Sequence, residues 1–562
     1  MAGKALKRAQ PQGARLAART APARRVPVAV PPHARSWTLR LSQESALTWA
    51  ALGVVLAVGA TLRFYGLTRD PLWFDEAYTA LSVQLPVGAV LTRLRGEGNA
   101  PVYYIVMHWW TVLFGDSESA IRMLSALLGI ATIPLIYWVG SRMFSQRAGL
   151  IAALLAAMSP LHVHYCQEAR MYPLVPPLAV AVLYTLHRLL VAPTRLIFCG
   201  FVLAGLTGLY TQYYFLFLLP LAGCAVWVGD VRRNVMWIGA AALAIAIGFA
   251  PWLPSFIEQA GNSSHAWIGT FWKERSIAYA IPWSLQSLGP GARYPTWATF
   301  KFASSSVAGG VSLGLAALVL GVAGVQIYRG LRARAATDAA GDDARWAGAL
   351  ALTAGAVLLP LCLALTVSLL RRPLYVVARY DLIAWGAYCL LTGAVLSRLR
   401  APLAAVAVAV WLGVAAYTLY PYVTTNRPRR NYADLGDRIA QTLIQRARPG
   451  DTVIFTAGSR TMAQYYLRRE PNRFRLMSYP LGTDAHLGWI DDRIHTDQEF
   501  AAGEAKRFAA WLADSGDLPA VVWVVAPRSR GTAPLLSELQ RRGYVEDGAR
   551  STKMLLRLRR SL

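Results

Sequence analysis

The sequence predicts a polytopic α-helical membrane protein with a C-terminal extracytoplasmic α/β domain. Three observations predict it. The 562-residue chain is 55% hydrophobic and only 15% charged, against about 25% charge in soluble domains. About eleven apolar segments approach the ~20 residues a helix needs to cross a bilayer. Residues 422–562 lose that character and alternate short β-branched runs with helical patterns, as α/β domains do.

The chain opens with a tail, residues 1–45, whose first forty positions hold nine basic residues and no acidic one. Rich in Ala, Pro and Arg and without a period that could bury a face, it reads as disordered and cytoplasmic. Its basic stretch is too long for a cleavable signal peptide. A membrane domain, 46–421, follows. Its spans are expected at 47–67, 118–140, 147–165, 172–190, 196–211, 213–229, 235–256, 306–328, 346–369, 376–397 and 402–421.

The connections sort by charge. One set carries Arg142 and Arg147, Arg188 and Arg195, Arg232 and Arg233, Arg329 to Arg345, then Arg398 and Arg400. The other carries Asp75, Glu76, Glu97, Asp116, Glu118, Glu168 and Glu258. Positive-inside bias places the first set and the N-terminus in the cytoplasm. An odd number of spans then places the C-terminus outside the inner (cytoplasmic) membrane. The net charge of +27 follows from these loops and the tail, so membrane lipids, and no nucleic acid, are the implied surroundings.

Three outer stretches, 68–117, 257–305 and 422–562, are too long to be mere connectors. In the last, Pro449-Gly450-Asp451 marks a turn, and Thr452–Thr456 and Val521–Val525 read as buried strands. Helical patterns cover Tyr432–Arg446, Gln498–Ala513 and Leu535–Arg542. In 257–305, Lys273, Arg275 and Arg293 lie among Trp267, Trp272, Trp283 and Trp297, which suits an interfacial amphipathic helix. The five cysteines (Cys166, Cys199, Cys224, Cys362, Cys389) have no metal-ligand spacing and are expected to serve packing. Gly310-Val311-Ser312-Leu313-Gly314 matches a nucleophile elbow, but inside an expected span it reads as close helix packing.

Ionisable groups near a bilayer are costly and point to function. Trp73-Phe74-Asp75-Glu76-Ala77-Tyr78 places two carboxylates just beyond the first span. Either they favour the first turn of a helix, or one is a general base beside a lipid-level cleft. Gln167-Glu168-Ala169-Arg170-Met171-Tyr172 gathers Glu168, Arg170 and Tyr172 at the outer edge, with Arg170 read as an anchor or an anion ligand. His162 and His164 lack a third ligand nearby, so packing is the simpler role. Arg371, Arg372, Arg379 and Tyr380 form a third cluster, in which Arg379 faces either an anionic ligand or the adjacent Asp381.

Taken with Asn99-Ala100-Pro101-Val102-Tyr103-Tyr104, Leu113-Phe114-Gly115 and Ser117-Glu118-Ser119-Ala120-Ile121-Arg122, these motifs resemble the bacterial branch of glycosyltransferase family 39. That branch is related to the protein O-mannosyltransferases and the lipid A aminoarabinose transferases of the GT-C superfamily. The resemblance covers roughly residues 45–400, and 422–562 resembles the variable outer domains of such enzymes. It implies a GT-C fold and an inverting transferase that moves a hexose or pentose, mannose included, from a polyprenyl-phosphate donor. The acceptor is an unspecified hydroxyl or amine of a glycan, lipid or protein at the outer face.

The resemblance also implies that Asp75 is the catalytic base, with Glu76 supporting it. Charge and position assign Arg170, Arg379 and Tyr380 to the donor phosphate, and Tyr78, Tyr103, Tyr104, Glu168 and Tyr172 to the substrate cleft. Phosphate is already a good leaving group, so one base and a set of cations suffice, and no cofactor is called for. A divalent metal is compatible with these residues but not required by them. The competing readings are a flippase of polyprenyl-linked glycans, which predicts deep charges and paired halves, and a non-catalytic scaffold, which predicts that Asp75 and Glu76 are dispensable.

Overall fold

The computed structural model describes residues 45–225, 231–261, 268–269, 272–273, 276–291, 307–336, 341–424, 430–456, 458–483, 493–514, 518–525, 530–548 and 554–561. Nearly all of the expected tail lies outside the described residues, as do Trp267, Arg275, Arg293 and Trp297. The chain forms two compact units, Met1–Trp49 and Ala50–Leu562. In the first, the described residues are Ser45 and the start of a helix, where the Ser45 and Thr48 hydroxyls lie 3.0 Å apart.

Among the described residues, seven helices are long and apolar enough to cross a membrane: Ala46–Phe64 (α1), Glu118–Met143, Tyr172–Val191, Val231–Gly261, Val307–Ala333, Asp342–Leu370 and Ala401–Thr424. The other four expected spans fall on shorter apolar helices, Gln146–Met158, Arg195–Leu209, Phe215–Ala225 and Leu382–Ser397. Local chemistry explains the breaks. At 147–165 the helix stops before Pro160, which has no N–H for the carbonyl of Ala156. The Ser159 side chain then caps a second helix, Pro160–Tyr165, by accepting from His162 N. Arg63, fully buried, supplies the missing donors to Ala156 O and Ala157 O, each at 3.0 Å, and to His162 Nδ1 at 2.7 Å.

Glycine matters where helices nearly touch: a Cβ on Gly129 would lie 2.1 Å from Cys166 Sγ. Gly310 and Gly314, expected to pack closely, have open space around them, and buried Ser312 makes the contact instead, donating to Gln286 O at 3.1 Å. Cys166 and Cys389 are buried, as packing requires, whereas Cys199, Cys224 and Cys362 are exposed.

The C-terminal domain contains a five-stranded sheet of order β2-β1-β3-β5-β4. Its strands are Thr452–Thr456 (β1), Arg475–Tyr479 (β2), Val521–Val525 (β3), Tyr544–Glu546 (β4) and Leu555–Arg560 (β5). β1 pairs in parallel with β2 and β3, and β5 pairs antiparallel with β3 and β4. Alternation splits the central strands between two cores. Val453, Phe455, Trp523 and Val525 pack with Ile439 and Leu443, and Ile454, Val522 and Val524 pack with Phe508, Leu512 and Leu535. Burial on both faces explains why β1 and β3 are unbroken apolar runs. Met462 and Tyr465, from the helix Ser459–Leu467, join the core of the membrane domain.

Candidate active site

The site lies where α1 ends and the helices Glu118–Met143, Val175–Val191 and Leu382–Ser397 begin. After α1, the chain turns through residues 65–73 into a short helix, Phe74–Ser82 (α2). Trp73 caps it, and Glu76 reaches back to the Trp73 N–H at 3.4 Å, a capping-box contact. Adjacent residues on a helix diverge by about 100°, so Asp75 and Glu76 meet different surroundings.

Glu76 is fully buried and spent on structure. Its Oε1 accepts from Arg122 Nε at 2.8 Å and Ala169 N at 2.9 Å, and its Oε2 accepts from Arg122 Nη2 at 2.6 Å. Arg122 gives its remaining N–H groups to the carbonyls of Leu67, Asp70 and Pro71, at 2.8, 2.7 and 3.2 Å. All five guanidinium donors are thus in use. This pair ties the turn after α1, the start of α2 and the 167–172 segment into one block. Gln167 adds to it, donating to the carbonyls of Leu62, Arg63 and Tyr65 at the end of α1.

Asp75 keeps 20% of its side chain exposed and faces two cations. Its Oδ2 lies 3.8 Å from Arg170 Nη2 and 3.9 Å from Arg379 Nη1. Arg170 is held firmly: Nη1 donates to Tyr104 OH at 2.8 Å and Thr79 Oγ1 at 3.4 Å, and Nη2 donates to Asn99 Oδ1 at 3.2 Å. Burial works against its charge, but Tyr104, Asp75 and Tyr172 outweigh that and leave its pKa above the ordinary arginine value. Arg379 sits over the rings of Tyr172 and Trp73, at 5.6 and 5.8 Å, an arrangement that favours arginine over lysine.

The loop that aims Arg379 is tied by Asp381, which accepts from Tyr375 OH and Ala378 N, both at 2.7 Å. Ala378 carries φ +68°, a left-handed conformation that costs a non-glycine residue roughly 1–2 kcal/mol. The ion-pair partner of Arg379 here is Asp75 rather than its neighbour Asp381. The expected cleft residues, and Tyr380 expected at the phosphate, separate. Tyr104 and Tyr172 stand with the Asp75 cluster. Tyr380 stacks on Tyr214 at 4.1 Å. Tyr78 is buried edge-on behind Tyr104, and Tyr103 pairs with the Ser125 hydroxyl at 3.1 Å. Glu168 lies 3.3 Å from His164 Nε2, while His162 turns to Arg63, so the two histidines do not converge. Among the described residues, no three His, Cys, Asp or Glu side chains gather on one point.

Sequence reasoning left Arg122, Asn99, Thr79 and Gln167 without roles. It also missed the contact from the C-terminal domain. Tyr466 OH accepts from Leu72 N at 2.7 Å and donates to Glu118 at 2.5 Å. Tyr465 OH donates to Asp116 O at 2.8 Å, and Arg468 Nε donates to Asp116 Oδ2 at 2.7 Å. The C-terminal domain therefore holds the chain three residues before Asp75.

These features define a multi-pass helical membrane protein with a carboxylate–arginine centre at the ends of several helices. Residues 98–254 match the family model described as dolichyl-phosphate-mannose-protein mannosyltransferase. No curated protein matches the chain significantly. Among solved structures, the archaeal oligosaccharyltransferase AglB from Archaeoglobus fulgidus, in complex with an inhibitory peptide and a dolichol-phosphate, is similar at TM-score 0.50. The two are 13% identical over 91% of this chain and 73% of that one. ArnT from Cupriavidus metallidurans bound to undecaprenyl phosphate gives TM-score 0.45 and 16% identity over 92% of this chain and 98% of that one. The family match thus covers residues 98–254, and the likeness to AglB is one of fold.

Proposed function

We propose that the protein transfers a sugar from a polyprenyl-phosphate carrier to an acceptor hydroxyl or amine at the outer face of the cytoplasmic membrane. Residues 46–421 carry the reaction, with the N-terminus inside and residues 422–562 outside. The observation that carries this reading is the unequal use of the two carboxylates. Glu76 is buried and saturated by Arg122, while partly exposed Asp75 stands between two buried guanidiniums. The match of residues 98–254 to the dolichyl-phosphate-mannose-protein mannosyltransferase family supports a lipid-phosphate donor.

The chemistry follows from that arrangement. A donor phosphate entering beside Arg170 and Arg379 competes with Asp75 for them, leaving the carboxylate to accept a proton. The acceptor oxygen or nitrogen loses that proton to Asp75 as it bonds to the anomeric carbon. The carbon–oxygen bond to phosphate breaks on the opposite side, so the centre inverts. The carrier phosphate gains negative charge as it leaves. Fixed cations therefore hold the transition state more tightly than the ground state. Arg170 is braced by three side chains and orients the site, whereas Arg379, on its own loop over two rings, is the better assigned to phosphate.

The test is donor binding by purified protein in nanodiscs. Arg379→Ala should weaken binding of an undecaprenyl-phosphate sugar at least tenfold while acceptor affinity stays near wild type. Wild-type donor affinity in that variant would give Arg379 a structural role.

A further inference from the structure

A chamber of about 370 Å³ adjoins the Asp75 centre, within the ~300–1,000 Å³ range of small-ligand sites. Tyr380 and Met171, neighbours of Arg379 and Arg170, form part of its wall, and Tyr213, Tyr214, Phe217 and Phe256 make much of the rest aromatic. Two glutamines line it, and they differ. Gln259 is fully used: its Nε2 donates to Leu94 O at 2.7 Å and Asn99 O at 3.4 Å, and its Oε1 accepts from Tyr213 OH at 2.6 Å. Gln212 is 5% exposed, and neither its Oε1 nor its Nε2 has a hydrogen-bond partner.

Native proteins leave few buried polar groups unmet. The break between the helices Arg195–Leu209 and Phe215–Leu218 fixes Gln212 without using its side chain. Gly208 O takes the N–H of Thr211 and of Gln212 at 3.0 and 2.8 Å, and Tyr214 OH donates to Leu374 O at 2.6 Å. The amide thus presents a donor edge and an acceptor edge side by side. An isoprenoid chain answers neither. A sugar ring answers both through two neighbouring hydroxyls, and its C–H faces pack on tyrosine and phenylalanine rings.

We propose that this chamber holds the sugar ring of the donor and that Gln212 is a specificity-determining residue reading two adjacent hydroxyls. The proposal rests on the sugar-transfer reading above. In the chamber the ring leaves the phosphate on the Tyr380 side, next to Arg379.

The experiment measures equilibrium binding to the full chain in nanodiscs. The probes are undecaprenyl phosphate and its mannosyl, glucosyl, galactosyl and arabinosyl derivatives. Wild type should bind one sugar derivative at least tenfold more tightly than the bare carrier. Gln212→Leu should lose that margin, roughly 10- to 100-fold, while binding undecaprenyl phosphate as wild type does. Gln212→Glu, which keeps the shape but removes the donor edge, should lose it too and carries the test if the Leu variant does not fold. The proposal is overturned if the variants keep the wild-type margin, if margin and bare-carrier affinity fall together, or if wild type shows no margin for any sugar. A failure of the broader reading looks different, because undecaprenyl phosphate itself would not bind the wild type.

Discussion

Glu76→Gln keeps the size of the side chain and removes its charge, and the structure assigns its cost to folding rather than chemistry. The carboxylate accepts from Arg122 at 2.8 and 2.6 Å and from the N–H groups of Ala169 and Trp73 at 2.9 and 3.4 Å. An amide keeps one acceptor oxygen. Its NH₂ group then meets Arg122 or the Trp73 N–H, donor against donor. Arg122 is 2% exposed and has no route to water. Breaking a buried ion pair from one side costs about 3–5 kcal/mol, roughly two to four orders of magnitude in the folded-to-unfolded ratio. The assay follows the loss of monodisperse protein on heating, in nanodiscs, for wild type, Glu76→Gln and Asp75→Asn. Glu76→Gln should be lost far sooner than the other two. Equal stability of the two variants, or a less stable Asp75→Asn, would refute this division of labour.

Two further outcomes are expected. Arg468 holds the Asp116 carboxyl below its ordinary value, chiefly by donating a hydrogen bond. Such a depressed pKa adds stability above the unfolded value near 3.8 that is lost as pH falls through the folded one. Hydrogen exchange in the helix Ser459–Leu467, corrected for intrinsic rate, should therefore rise below about pH 4. Asp116→Asn should show the looser behaviour already at pH 7, an effect under about 1 kcal/mol for this partly exposed pair; wild-type exchange in that variant would count against the docking role. A phosphatase reporter fused near residue 430 should be active outside the cell, and activity confined to the cytoplasm would overturn the proposed orientation.

Much of this architecture is legible in the sequence, for physical reasons. The apolar runs announce the bundle, and Thr452–Thr456 and Val521–Val525 read as strands because both faces of the central sheet are covered. β5 is hidden, since Leu-Leu-Arg-Leu-Arg-Arg looks like surface. Its Arg557 is nonetheless buried, in an ion pair with Asp547. The helix Ser459–Leu467 carries no apolar run, because its work is done by the hydroxyls of Tyr465 and Tyr466 on a loop some 350 residues away. Asp75-Glu76 is visible as a pair, but which carboxylate faces the cleft depends on Arg122, 46 residues on. Arg170 looks unaccompanied in sequence, and Thr79, Asn99 and Tyr104 supply its partners only once the segment 68–117 folds back. Gln212 reads as a mere interruption between two apolar runs, and a side chain without partners leaves no pattern to find.

The central claim is that Asp75 takes the acceptor's proton, and single-turnover sugar transfer by Asp75→Asn tests it most directly. The substitution keeps the shape of the side chain and removes its capacity as a base at working pH. General-base catalysis contributes about 10²–10⁴-fold, or roughly 3–5 kcal/mol of barrier. The predicted result, per folded molecule, is a fall of that order with donor affinity equal to wild type or tighter, since Asp75 no longer competes for Arg170 and Arg379, and a smaller fall for the folded fraction of Glu76→Gln. Transfer at the wild-type rate by Asp75→Asn, or a larger loss per folded molecule in Glu76→Gln, would contradict it.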